Sequence, residues 1–216
     1  MNFDIYLRPT RFIDSNHAEV KRYAAEKTQG CNTGKEKTIA LYYAVRDDIL
    51  YDPYHLILKP EVISASQTLA RGSGYCIEKS LLLCAAGRAL GIPSRLGFSI
   101  VRNHLSTQKF VEMLRTDKFV FHGYNEFWLE DKWVKCTPAF NKSLCEKFGV
   151  AALEFDGEHD SIFHEFAHGK KYMEYLHEYG QFDDFPFDLF VQELRIHYPH
   201  LFEPGGKHAH AWQTGE

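Results

Sequence analysis

The chain has 216 residues, a formal net charge of −4 and 44% hydrophobic residues, with aromatic side chains plentiful. A chain of this size can bury a sizeable core within one domain that carries a terminal extension. The mild charge argues against a nucleic-acid or anionic-membrane partner. Residues 1–10 lack the basic start and apolar core of a signal peptide, and no stretch approaches membrane-spanning length. Five cysteines without framework spacing favour a reducing cytoplasm.

Helical periodicity dominates the first half of the chain and an extended pattern follows it. Helices are predicted over 17–27, 35–48 and 77–90, with a short helical turn over 64–69. A strand over 95–102 and a helix over 106–115 come next. Two strands over 119–129 and 132–137 are then joined by a minimal turn, and helices over 161–179 and 187–197 end the pattern.

This order predicts an α+β fold, in which N-terminal helices pack against a small antiparallel sheet and are followed by C-terminal helices. Residues 1–150 are expected to form the core. Residues 151–216 are expected to form a helical extension that packs on the core, and the last residues, about twelve, to be loosely ordered.

Cys76 is the most informative residue, because it follows Gly72 and Gly74 and directly precedes a long apolar helix. The glycines predict a sharp turn that places the thiol on the first helical turn. Unpaired backbone N–H groups and the positive end of the helix dipole favour a negative charge there. We therefore expect a lowered pKa and a thiolate that is available near neutral pH.

The hairpin supplies a candidate base for this thiol. If Glu130 and Asp131 form a two-residue loop, counting outward pairs Leu129 with Lys132 and Glu126 with Lys135. The same counting pairs Tyr124 with Thr137 and His122 with Ala139, and it gives Glu126 a cross-strand lysine as its ion partner.

On this register, Thr137 becomes a diagonal neighbour of His122 on one face of the hairpin. Asn141 is the other diagonal neighbour, but Pro138 weakens that placement by removing a backbone donor. Cys76 would attack a carbonyl carbon while His122 takes the thiol proton and later returns it. Thr137, or alternatively Asn141, would orient the imidazole, and the backbone N–H of Cys76 would stabilise the oxyanion.

Several separate motifs then point to a known family. They are VRDD at 45–48, YDP at 51–53, GYCIEK at 74–79 and RALGIPSR at 88–95, followed by His122, Glu126, Trp133 and Pro138. Together they resemble the transglutaminase-like superfamily, whose fold is similar to that of papain-like enzymes.

The resemblance implies that Cys76 is the nucleophile and His122 the base. Thr137 stands where family members carry the aspartate of the triad, and a threonine cannot stabilise an imidazolium by charge. Tyr51 and Tyr75, within these motifs, are candidate substrate-binding residues. The sequence does not decide whether Arg88 and Arg95 lie on the surface or in a pocket.

The function predicted is thiol-dependent acyl transfer from an amide, either a peptide bond or a glutamine-type side chain, and hydrolysis is favoured over crosslinking. The expected partner is a protein or peptide amide substrate, with no cofactor, nucleic acid or membrane. One alternative is a catalytically weak or inactive binding module of the same fold. Another is a zinc hydrolase, because His164 and His168 lie one helical turn apart in an H-E-x-x-H motif.

Overall fold

The computed structural model describes residues 3–54, 56–103, 108–162 and 173–203. Its α-helices are α1 (Ala18–Lys27), α2 (Gly34–Asp48), α3 (Ala65–Arg71), α4 (Cys76–Ala89), α5 (Gln108–Leu114), α6 (Lys142–Lys147) and α7 (Phe187–His197). Its strands are β1 (Leu50–Tyr51), β2 (Ser73–Gly74), β3 (Ser94–Asn103), β4 (Lys118–Leu129), β5 (Lys132–Cys136) and β6 (Met173–Phe182). No helix in these ranges is long and apolar enough to cross a membrane.

The architecture is α+β, as the sequence predicts. Four antiparallel strands form one sheet in the order β5-β4-β3-β6, and β1 pairs in parallel with β2 in a separate two-stranded sheet. Helix α4 is buried from Ile77 to Arg88, including its charged residues Glu78, Lys79 and Arg88. It packs against α1, α2 and α3 and against strands β3 and β4 of the sheet.

The predicted hairpin register is confirmed at its closed end. Leu129 pairs with Lys132, and Glu126 pairs with Lys135. Glu130 and Asp131 both have positive φ, 47° and 64°, which is the conformation of the two-residue turns that match strand twist.

The register is wrong at the open end of the hairpin, because pairing between β4 and β5 stops at Asn125 and Cys136. The predicted pairs Tyr124–Thr137 and His122–Ala139 therefore do not form. Thr137 instead donates its backbone N–H to the carbonyl of Ser161 at 3.0 Å. Pro138 explains the break, since a proline cannot donate to a ladder.

The helix predicted over 161–179 is wrong in its described part, because β6 occupies that region and pairs with β3. Residues 163–172 lie outside the described residues. The helix predicted over 187–197 is confirmed as α7. The division into a core over 1–150 and an extension over 151–216 stays a prediction, although β6 belongs to the same sheet as β3 and β4.

A β-bulge lies immediately before His122. Ser99 pairs with His122 and Val101 with Phe119, so Val120 and Phe121 together oppose a single residue of β3. Phe121 has a positive φ of 63°, and its ring is fully buried against Phe98 at a centroid distance of 4.9 Å. A bulge re-aims the side chains around it, so this one sets the direction of His122.

The backbone of β4 approaches the start of α4 very closely at Gly123. A Cβ at this position would lie 3.2 Å from the Cα of Ile77 and 3.4 Å from its nitrogen. Farther along the same contact, the Asn125 amide donates to the Ser80 carbonyl at 2.8 Å. Glycine therefore permits the helix start and the strand to meet.

We predict that Gly123→Ala destabilises the protein by about 1–3 kcal/mol, the usual cost of forcing extra volume into a packed site. The control is Gly34→Ala at the start of α2, where a Cβ meets nothing within 4 Å. Urea denaturation should leave the control unchanged or slightly more stable. Equal midpoints for the two variants would show that the close approach does not constrain the fold.

Candidate active site

The loop before α4 holds Cys76 in place through Glu78. The Glu78 carboxylate accepts a hydrogen bond from the backbone N–H of Tyr75 at 3.3 Å and pairs with Arg71 at 2.6 Å. Burial raises the pKa of Glu78 to about 7, although Arg71 opposes the shift. The guanidinium also donates to the carbonyl of Ser73 at 2.9 Å, so the turn that carries Cys76 is fixed from both sides.

Lys79 connects the same helix to the end of α2. Its side chain is fully buried, and its ammonium donates to the carbonyls of Arg46 at 2.9 Å and Ile49 at 2.6 Å. Burial lowers the pKa of Lys79 to about 7. These bonds hold the end of α2, and hence β1, beside the helix that carries Cys76.

Cys76 and His122 line one cavity of about 70 Å³. Tyr51 and Tyr75, the two predicted substrate-binding residues, line the same cavity. The Tyr75 hydroxyl is buried and has no hydrogen-bond partner among the described residues. The structure thus places the predicted nucleophile, the predicted base and both tyrosines around a common space.

The thiol of Cys76 departs from the expected lowered pKa, because burial raises its pKa to about 11. The backbone N–H groups of Gly123, Ile77 and Cys76 itself lower that pKa in part. This lowering of the pKa is the effect predicted for a helix start, but desolvation raises the pKa by more. The residue remains partly accessible to solvent.

His122 is buried, and burial lowers its pKa to about 4. Its Nε2 atom has no hydrogen-bond partner in the described part of the chain. Near neutral pH the imidazole is therefore uncharged and able to accept a proton, while the Cys76 thiol keeps its own.

Thr137 is buried but is not among the residues that line the cavity, and its hydroxyl has no hydrogen-bond partner among the described residues. Tyr175 of β6 lies near both His122 and Thr137. Its ring centroid is 6.2 Å from that of His122, and the nearby Thr137 hydroxyl partly offsets the rise that burial causes in the pKa of Tyr175. The Tyr175 hydroxyl donates to the carbonyl of Ile162 at 2.8 Å.

Asn141, the alternative orienting residue, is engaged elsewhere. Its side-chain oxygen accepts from the backbone N–H of Tyr51 at 3.1 Å, and its amide nitrogen donates to Ser143 at 2.6 Å. These bonds hold β1 against the start of α6. The structure therefore gives Asn141 a positioning role for Tyr51, one of the cavity residues.

The predicted ion partner of Glu126 is wrong. Lys135 is its cross-strand neighbour, but the Glu126 carboxylate pairs with Arg95 at 2.6 Å, while Lys135 pairs with Glu178 at 3.1 Å. Arg95 also lies over the Trp133 ring at 4.0 Å. Neither Arg95 nor Glu126 lines the cavity.

Arg88 is a buried structural residue. It donates to the carbonyls of Ser94 at 2.9 Å, Arg8 at 2.9 Å and Asp183 at 2.7 Å. This side chain thereby joins the N-terminal segment, the start of β3 and the chain after β6.

The H-E-x-x-H motif, with His164 and His168, lies outside the described residues. Within the described ranges, no group of three or more histidine, cysteine or acidic side chains could hold a metal ion.

Sequence reasoning missed three contributors to the site. Gly123 was detectable, because a glycine directly after a candidate base in a strand signals a close backbone approach. Tyr175 and the cavity wall from α7 carry no local signal, since only the tertiary fold brings them to His122.

A family model of the transglutaminase-like superfamily matches residues 21–138, which is more than half of the 216 residues. This match includes Cys76, His122 and Thr137. The chain belongs to the transglutaminase-like superfamily. No curated protein matches it.

Two solved structures are similar to parts of this superfamily member. One is described as a "Putative Cysteine Protease from Cytophaga hutchinsonii", with 21% identity and a TM-score of 0.49, covering 64% of this chain and 43% of that chain. The other is a "putative protease from Parabacteroides distasonis", with 16% identity and a TM-score of 0.38, covering 54% and 22%. The chain thus spans less than half the length of either, and neither likeness bears on its activity.

We predict that alkylation of Cys76 by iodoacetamide accelerates about tenfold per pH unit between pH 7 and 10, because only the thiolate reacts and the pKa is about 11. The rate at the Cys76 peptide should be followed by mass spectrometry. A rate that is already constant between pH 6 and 8 would contradict the raised pKa.

Proposed function

We propose that this protein is a thiol-dependent enzyme that transfers an acyl group from an amide, with water as the favoured acceptor. The observation that supports this most strongly is the shared cavity of Cys76 and His122. It occurs within a chain of the transglutaminase-like superfamily. The substrate would be a peptide bond or a glutamine-type side chain.

In the proposed reaction the Cys76 sulfur attacks the amide carbonyl carbon while the thiol proton passes to His122. The backbone N–H of Cys76 would stabilise the oxyanion. The imidazolium then gives its proton to the departing amine as the C–N bond breaks, which leaves a thioester on Cys76. Water then attacks the thioester with His122 as base. This step releases the acid and restores the Cys76 thiol.

The pKa values favour a neutral resting pair over a preformed thiolate–imidazolium pair. His122 has a pKa of about 4 and Cys76 one of about 11, so the proton stays on sulfur until the substrate reacts. Thr137 would orient the imidazole without supplying charge. The proposal also places the protein in the cytoplasm, in keeping with its five free cysteines, and it requires no cofactor, nucleic acid or membrane.

The same observations support a second candidate, a weak or inactive binding module. A protonated thiol is a poor nucleophile when the described residues offer the neighbouring imidazole no carboxylate partner. The two candidates differ in whether the wild-type protein turns over an amide, and in how strongly a carboxylate at Thr137 changes Cys76.

We predict that Thr137→Asp accelerates alkylation of Cys76 at pH 7 by about tenfold or more. A carboxylate beside His122 stabilises the imidazolium, and such a charge shifts a neighbouring pKa by about one to three units. Thr137→Asn is the matched control, because it has the shape of Asp without the charge, and its rate should stay within about threefold of wild type. Equal alkylation rates for the two variants would show that the side chain at position 137 does not influence the proton transfer between Cys76 and His122.

We predict that the wild-type protein releases ammonia or cleaves peptide bonds in glutamine-containing peptides, and that Cys76→Ala abolishes this activity. Adding a primary amine such as putrescine at millimolar concentration should leave the acid as the main product. Amine incorporation that exceeds acid formation would make the enzyme a crosslinker. An inactive wild type whose Thr137→Asp variant is active would instead support the binding module.

A further inference from the structure

We infer that the substrate carries a short, uncharged aliphatic group next to the carbonyl that Cys76 attacks. This inference names the substrate class of the proposed acyl-transfer site and rests on that proposal. The composition, the polar contacts and the size of the cavity support it separately.

Much of the cavity wall is apolar. Phe119 and Val120 of β4, Leu114 of α5, and Phe190 and Leu194 of α7 form much of it. Among the described residues that line the cavity there is no aspartate, glutamate, lysine or arginine. A charged group bound there would lose its hydration without gaining an ion partner, which is strongly unfavourable.

The polar groups of the cavity are few, and one of them is already satisfied. The Tyr198 hydroxyl donates to the carbonyl of Lys118 at 2.8 Å and accepts from the backbone N–H of Val120 at 2.9 Å. The shifted pKa values of Cys76 and His122 both arise mainly from desolvation, as expected of an apolar surrounding. Among the described lining residues, the groups left for a polar substrate atom are uncharged, and the unpaired Tyr75 hydroxyl is one of them.

The size of the cavity favours a small group. Its volume of about 70 Å³ is less than half of the roughly 150 Å³ of an apolar cavity that binds benzene. A propyl or isobutyl group fits this space better than an aromatic ring does.

Alkyl methanethiosulfonates test the inference, because they share one reactive group and differ only in the chain they deliver. The Cys76 sulfur attacks the thio sulfur, a disulfide forms, and methanesulfinate leaves with the electron pair while the thiol proton goes to solvent. Rates at the Cys76 peptide of the full-length protein would be measured at pH 8 with propyl, benzyl, sulfonatoethyl and trimethylammonioethyl reagents. Each rate would be divided by that of the same reagent with 2-mercaptoethanol.

We expect the normalised propyl rate to exceed both charged-reagent rates by about thirtyfold or more, because a charge must enter an unpaired apolar site. The benzyl rate should lie below the propyl rate. A charged reagent within about threefold of the propyl reagent, or faster than it, would overturn the inference. These outcomes are obtained with wild-type protein and depend on no variant.

Enlarging the cavity should increase the size of the group that can reach Cys76 and should change no other preference among the reagents. Leu194→Ala should raise the normalised benzyl rate by about tenfold, while Ile196→Ala, on the same helix but 59% exposed, should leave it unchanged. If Leu194→Ala does not fold, Phe190→Leu serves the same purpose. Unchanged benzyl rates in the folded wall variants would contradict the assigned wall.

The labelling result is independent of turnover. Preference for the propyl reagent in a protein that cleaves no amide would leave the apolar site standing and reject the proposed acyl transfer. Amide cleavage together with equal labelling by all four reagents would support the proposed acyl transfer and reject the apolar site.

Discussion

The contact between the start of α4 and the backbone of β4 is the constraint on which the site depends. A Cβ on Gly123 would meet the backbone of Ile77 at 3.2 Å, so a larger residue would push the strand and the helix start apart by a few tenths of an ångström. This approach brings the Gly123 N–H close enough to Cys76 to lower the pKa of the thiol in part. It also places the neighbouring residue, His122, on the wall of the same cavity.

The burial that follows from this contact explains the electrostatics. Aromatic and aliphatic side chains from β4, α5 and α7 line the cavity and reduce the contact of the sulfur and the imidazole with water. Desolvation favours the neutral form of each, so the thiol pKa rises and the imidazole pKa falls. A hydroxyl at Thr137 suits this neutral pair in the proposed mechanism, because a carboxylate there would favour the ion pair. In the proposed mechanism, proton transfer accompanies the attack on the carbonyl and does not precede it.

The parts of the fold that were predictable from sequence are set by local chemistry. A helix beginning at Cys76 follows from the glycines and the apolar run, and the register from Leu129 to Glu126 follows from a two-residue turn and the alternation of side chains. The register failed beyond Cys136, where Pro138 ended the ladder. Strand β6 was missed because its side chains are mostly half-buried or exposed and its pairing with the distant β3 is not encoded locally.

The pairing of Cys76 with His122 in the candidate site could be proposed from the sequence, but the environment of these two residues could not. The sequence indicates that Cys76 and His122 belong together, and the structure lines one cavity with both. The sequence cannot reveal that Phe190 and Leu194, more than a hundred residues after Cys76, help to form that cavity. A helix start alone predicts a lowered pKa for the Cys76 thiol. Burial in the cavity raises this pKa by more than the backbone N–H groups lower it, so the observed shift is upward.

The proposed function requires the Cys76 sulfur and the His122 imidazole to act as one acyl-transfer unit. The most direct measurement is rapid mixing with p-nitrophenyl isobutyrate, followed by mass spectrometry of the acylated peptide. We expect one equivalent of p-nitrophenol to be released in a burst, with the isobutyryl group on Cys76. His122→Gln should slow the burst by about a hundredfold or more, the usual contribution of a general base, while methyl methanethiosulfonate still labels Cys76. Acylation at another residue, or a burst that is unchanged in His122→Gln, would show that the two side chains do not act together.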